Sequence, residues 1–139
     1  MILIIDTNIV FSGMVKDKGT RELLIDSPFT LYSPETMISE IRKHQELIIK
    51  KSRLTKDEFE TLFGLITEKI MIVEKEKYEK YLKEAEKIMG GVDKNDIPFI
   101  ALALSISNDG IWSDDSDFYK QNRIKVWKTT DIIKKIDTS

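Results

Sequence analysis

The chain has 139 residues and no cysteine, with 22 Lys+Arg against 24 Asp+Glu and a formal net charge of -2. That length suits one domain over 1–139, and 41% hydrophobic with 33% charged residues suits a core under an ionised surface, which excludes wholesale disorder. The missing cysteines exclude disulfide scaffolds, thiolate-ligated zinc, iron–sulfur clusters and thiol nucleophiles, and the lone histidine, His44, excludes a His-rich metal site.

Taken in chain order, Met1–Ile5 is a continuous apolar run that stops at Asp6, the pattern of a strand buried on both faces. Residues 7–15 read as a helix, 16–19 as a turn, and 20–25 as a short helix capped by Thr20; 29–32 read as a second strand. Ser33-Pro34 reads as a helix start, with Ser as N-cap and Pro at the first helical position, and one helix follows to about Arg53 with Ile38, Ile41, Ile48 and Ile49 as its apolar stripe. Thr55-x-x-Glu58 is a capping box that opens a helix to about Thr67. A strand over 70–73 and a Lys/Glu-rich helix over 75–89 come next, and Gly90-Gly91 stops that helix.

Asn95-Asp96-Ile-Pro98 starts a helix whose body, Phe99–Ile106, is apolar nearly all round, so it belongs in the centre of the molecule. Strands over 110–113 and 125–127 and a helix over 130–136 complete the chain. Strands alternating with helices predict an α/β fold, a three-layer α/β/α sandwich on a mainly parallel sheet of roughly five strands. The longest apolar runs, 2–5 and 97–104, fall far short of the ~20 residues of a membrane span. With Met1 opening directly onto a strand, no signal peptide and no membrane partner are expected, and the reading is a cytoplasmic protein.

Acids, more than bases, mark the places where chemistry can occur. Ligands of open parallel sheets bind outside the carboxyl ends of the strands, where Asp6 and the Asp114/Asp115/Asp117 cluster fall. Asp96, at the N-terminus of the apolar helix, faces the same way. Carboxylates that converge repel one another unless a cation lies between them, and an all-oxygen site suits Mg²⁺ or Mn²⁺. Each acid also has a simpler reading: an Asx-turn for Asp6-Thr7-Asn8, a helix cap for Asp96, a solvated turn for the cluster. Glu40 shares a mixed helix face with Met37, Lys43, His44 and Leu47, and Glu35 and Glu46 satisfy a generic need for an acid equally well. Trp112 and Trp127 read as core, and Lys50–Arg53 as a basic helix end. An EF-hand reading of Asp115-x-Asp117 fails, because Lys120 stands where Gly is needed and Val126 where the bidentate acid belongs.

Four segments in sequence resemble the PIN-domain ribonucleases: the apolar strand with Asp6-Thr7-Asn8, Ser39-Glu40-Ile41, Asn95–Leu104 and Ser113-Asp114-Asp115-Ser-Asp117-Phe118. Pro-Phe after the third acid resembles the toxin branch of bacterial and archaeal toxin–antitoxin pairs. The resemblance implies a site of Asp6, Glu40, Asp96 and Asp115 around one or two Mg²⁺ or Mn²⁺ ions; it is what selects Glu40. It also implies metal-dependent endoribonuclease activity on single-stranded RNA. Asp114 and Asp115 compete for the fourth role, and register favours Asp115; Asn8, Ser113, Asp117 and Asp93 support the site. A small antitoxin and a homodimer are the protein partners the resemblance implies. Two other readings stand beside it. A haloacid-dehalogenase-like phosphatase would use Asp6 as nucleophile, although its second acid is Asn8 here, and a degenerate cleft would leave an RNA- or protein-binding module.

Overall fold

In the computed structural model, which describes residues 1–15, 17–91 and 93–138, the first apolar run becomes β1 (Ile2–Ile5), the middle strand of a parallel sheet. Among the described residues the other strands are β2 (Thr30–Pro34), β3 (Ile70–Val73), β4 (Gly110–Trp112) and β5 (Val126–Trp127), in the order β3-β2-β1-β4-β5. Every pairing is parallel, so the sheet is wholly rather than mainly parallel. Strand order reverses between β1 and β4, and the carboxyl ends of those two strands flank the crevice where such sheets bind ligands.

Helices α1 (Thr7–Val15), α2 (Lys18–Asp26), α3 (Thr36–Lys43), α4 (Gln45–Ser52) and α5 (Lys56–Glu68) gather around α1. Helices α6 (Lys75–Tyr78) and α7 (Leu82–Met89) pack on α8 (Ile97–Ser105), which crosses β1, β2 and β4; α9 (Thr129–Asp137) follows β5. The result is the expected α/β/α sandwich. Phe99 to Ala103 of α8 are all buried, as a helix apolar on every side requires. Residues Leu3 to Ile5 are fully buried between the layers. Fixing β1 and α8 in this core fixes the two acids at their ends, Asp6 and Asp96.

Several local expectations are corrected. Ser33 and Pro34 end β2 instead of opening a helix. Pro34 has no N–H to give a ladder, and the Ser33 hydroxyl donates instead to the Ile5 carbonyl at 2.9 Å. The helix expected over 34–53 is two helices, interrupted at His44 with φ -104° and ψ 15°, which re-aims α4 so that Ile48 is buried. The helix expected over 75–89 is broken by a 3₁₀ turn over Glu79–Tyr81, and Asp96 closes another over Lys94–Asp96 before α8. Asp17, not Thr20, caps α2, accepting from the Thr20 N–H. Lys18 and Gly19 of the expected turn lie in that helix, and Lys16 lies outside the described residues.

Gly110 opens β4 at φ +136°, and a Cβ there would stand 2.5 Å from the Lys125 carbonyl oxygen and 2.9 Å from the Trp127 ring. Both the backbone conformation and the space demand glycine. Gly110→Ala is expected to cost about 2 kcal/mol or more, read as a lower urea midpoint with an unchanged slope.

Candidate functional site

Asp6 follows β1 directly, and its N–H reaches across to the Trp112 carbonyl of β4 at 3.1 Å, so the two strand ends are tied together there. Its carboxylate is almost wholly buried and accepts from the Ser113 hydroxyl (2.7 Å) and from the Asn8 backbone N–H. The Asx-turn reading is thus realised, but it does not use up the acid. Burial pushes the Asp6 pKa up to about 6 against those hydrogen bonds, with the charges of Asp115 and Glu40 adding to the rise.

The Ser113 hydroxyl does double duty, accepting from the Asp115 N–H at 3.0 Å. Asp115 in turn accepts from the Asp117 N–H (2.9 Å) and from the Asn8 amide (3.3 Å), so both its oxygens are oriented. Its neighbour points elsewhere. Asp114 accepts from the Thr129 N–H at 2.8 Å and from the Thr129 hydroxyl at 2.6 Å, anchoring the first turn of α9. The two adjacent acids that the sequence leaves in competition are therefore divided between the crevice and a helix end.

Asp96 reaches the crevice from the end of the 3₁₀ turn that leads into α8. It stands at the N-cap position yet makes no side-chain capping bond, so the simple capping reading does not account for it. Its Oδ2 is buried without a hydrogen-bond partner among the described residues. Burial, then the charges of Asp6, Asp115, Asp93 and Asp117, pushes its pKa up to about 7. One carboxylate oxygen from each of Asp96, Asp115 and Asp117 lies within 4.8 Å of the others. A carboxylate that keeps a buried, unpartnered oxygen and is grouped with two further carboxylates is an arrangement that a divalent cation would satisfy, and an oxygen-only donor set fits Mg²⁺ or Mn²⁺.

Glu40 approaches from α3. Its Oε1 accepts from the Thr7 hydroxyl at 3.0 Å, and burial raises its pKa, as does the charge of Asp93. Asp93 itself caps the turn before α8 through the Asn95 N–H (3.0 Å) and stays exposed. Glu40 and Asp6 thus lie outside the tight triad: Asp6 feels the charge of Asp115 and acts on Asp96, whereas Glu40 is tied to the site through the charges of Asp6 and Asp93. Glu35 is engaged elsewhere, accepting from the Lys75 N–H at 2.9 Å. Two side chains that the sequence reading did not single out complete the crevice. Thr7 orients Glu40; its only sequence signal is a hydroxyl next to Asp6. Lys120 lies 3.1 Å from Asp117 Oδ1 and places a cation against the cluster.

Fold and crevice together define a parallel α/β protein that gathers carboxylates at the switch point of its sheet. The family model of the PIN domain matches residues 4–136, and the chain belongs to that family. PIN domains are generally metal-dependent nucleases. No curated protein matches the chain. Among the described residues no helix is long and apolar enough to cross a membrane.

Proposed function

We propose that the protein is an endoribonuclease that hydrolyses phosphodiester bonds of single-stranded RNA, with Asp6, Glu40, Asp96 and Asp115 holding one or two Mg²⁺ or Mn²⁺ ions. The observation that carries this reading is the buried, unpartnered Asp96 Oδ2 within a cluster that includes Asp115 and Asp117. A cation held by these acids would supply a Lewis acid for a phosphoryl oxygen and would lower the pKa of a bound water toward neutrality. The protein's own part is to keep the acids converged and correctly turned. Ser113 orients Asp6 and the Asp115 backbone at once, Asn8 turns Asp115, and Thr7 turns Glu40. Asp117, within the cluster, and Asp93, at the rim, add negative charge and so strengthen the pull on a cation.

Asn8 also weighs against the phosphatase reading, because its amide donates to Asp115 and has no acidic proton to give a leaving group. The mutual charges of Asp6, Asp96 and Asp115, with Glu40 beside Asp6, and an oxygen left unpaired weigh against a degenerate cleft. As part of the same reading, a toxin would be held in check by a small antitoxin presenting a cationic side chain to these acids, and co-purification tests for that partner. The test of the activity is an end-labelled single-stranded RNA incubated with pure protein in Mn²⁺, in Mg²⁺ and in EDTA. Cutting is expected with metal, none in EDTA, and at least about 100-fold less with Asp6→Asn. Cutting that survives EDTA or the substitution removes the four-acid site from the reaction.

A further inference from the structure

Beside the acidic cluster lies an open groove that the acids do not explain. It has a volume of about 490 Å³ and is lined by Ile88 of α7 and by Tyr119, Lys120, Gln121, Asn122 and Arg123. The groove begins where the site ends, since Lys120 is the residue that pairs with Asp117. Tyr119 is the one aromatic among its lining residues and is 40% exposed, which leaves part of the ring open to a ligand. Its ring is nonetheless held in place. The hydroxyl donates to the Ser113 carbonyl at 3.3 Å, and Lys128 Nζ stands 5.2 Å from the ring centre.

Gln121 is occupied with the backbone, bonding Phe118 and Ile124, and so shapes the loop rather than facing a ligand. The cations are different. Lys120 pairs with half-buried Asp117 and Arg123 with exposed Glu84, and both cationic side chains are themselves well exposed. The Arg123–Glu84 pair is an exposed one and is worth little, and the open Lys120 ammonium keeps donors to spare beyond its single contact with Asp117, so both cations can meet a phosphate. The segment 120–128 carries Lys120, Arg123, Lys125 and Lys128 and no acid, in a protein whose net charge is -2. A held aromatic ring flanked by exposed cations is the arrangement that binds a single strand: the base stacks, and its phosphates meet the cations.

We infer that Tyr119, Lys120 and Arg123 form a subsite for a nucleotide of single-stranded nucleic acid next to the bond that is cut. This rests on the nuclease reading for what happens at the acids, but the groove binds a strand whether or not the strand is cleaved. Lys120 links the two places. A divalent cation taking up the Asp117 charge frees Lys120 for phosphate, so strand binding is expected to be tighter with Mg²⁺ than in EDTA.

The test uses the full chain carrying Asp6→Asn, so that the strand stays intact, and reads fluorescence anisotropy of a fluorescein-labelled RNA of mixed sequence in Mg²⁺. Adding Tyr119→Ala is expected to weaken binding by about fivefold or more, and Tyr119→Phe to recover most of that loss, because stacking needs the ring. Lys120→Ala with Arg123→Ala is expected to lower the slope of log affinity against log salt by about 1. DNA of the same sequence serves as a second arm. Equal binding assigns the subsite to base and phosphate alone, and preference for RNA adds the ribose. Unchanged affinity in Tyr119→Ala, with an unchanged melting temperature, overturns the subsite. Wild-type cutting of the same RNA is measured separately. Cutting with no effect of Tyr119→Ala sinks the groove alone, and loss of affinity with no cutting sinks the nuclease reading alone.

Discussion

Asp115→Asn is expected to reduce metal-dependent cleavage by at least about 100-fold, whereas Asp114→Asn, one residue away, is expected to leave the rate within a few-fold of wild type and lower stability instead. The contrast follows from where each carboxylate is engaged. Asp115 faces Asp96 and Asp117, and both its oxygens are oriented toward the crevice by Asn8 and the Asp117 N–H. Asp114 accepts twice from Thr129 at the start of α9, the geometry of a helix cap supplied from a neighbouring loop. Losing such a cap costs about 1 kcal/mol, which a thermal melt resolves. Cleavage assays and melts on both variants form a two-by-two comparison. A cutting defect in Asp114→Asn with no loss of stability would reverse the roles assigned to the pair.

The strands were legible because a parallel sheet leaves a simple trace: an apolar run without alternation, ended by a polar residue. Met1–Ile5 and Gly110–Trp112 carry that trace, and Leu3 to Ile5 and Gly110–Trp112 are buried in the sheet. The apolar circumference of α8 was equally plain. What the sequence hid were breaks that no Gly or Pro announces. His44 interrupts a stretch whose Ile spacing is helical throughout, and the turn over Glu79–Tyr81 interrupts one rich in Lys and Glu. In both places packing decides: Ile48 and Tyr78 are driven into the core, and the backbone yields. Ser33-Pro34 carries a signal of helix initiation that the sheet overrode, because Ser33 supplies a hydrogen bond that Pro34 cannot.

The site divides along similar lines. Asp6 and Asp96 are legible from position, since each stands at an element end that the topology directs to the crevice. Glu40 is not, because its helix face is mixed and Glu35 is an equal candidate on pattern; only the family resemblance selects it, and the Thr7 hydroxyl is what turns it. Between Asp114 and Asp115, register favours Asp115; what no local pattern encodes is the contact that engages Asp114 elsewhere, with Thr129 15 residues on.

Metal-free protein is expected to melt at a higher temperature at pH 5.5 than at pH 8, the reverse of ordinary acid sensitivity. Asp6 and Asp96 have pKa values of about 6 and about 7 in the folded chain against 3.8 when unperturbed. Between about pH 4 and about pH 7 the folded state therefore binds more protons than the unfolded state, and stability falls as pH rises through that window. Glu40, also raised by burial, acts in the same direction. Above the window the folded protein holds several uncompensated charges together, and the loss is on the order of a few kcal/mol, or roughly 5–10 °C in melting temperature. Mg²⁺ or Mn²⁺ should reverse that loss at pH 8, since an ion bound only by the folded state at 100 times its Kd stabilises by about 2.7 kcal/mol. Asp96→Asn should melt higher than wild type at pH 8 in EDTA, show a flatter dependence on pH, and gain little from metal. Its amide adds a donor facing Asp115 and Asp117 where wild type has a further negative charge. A wild-type melting temperature that is level or rising from pH 5.5 to pH 8 in EDTA, and unmoved by either metal, would mean that these acids are not held against one another and that no cation completes them.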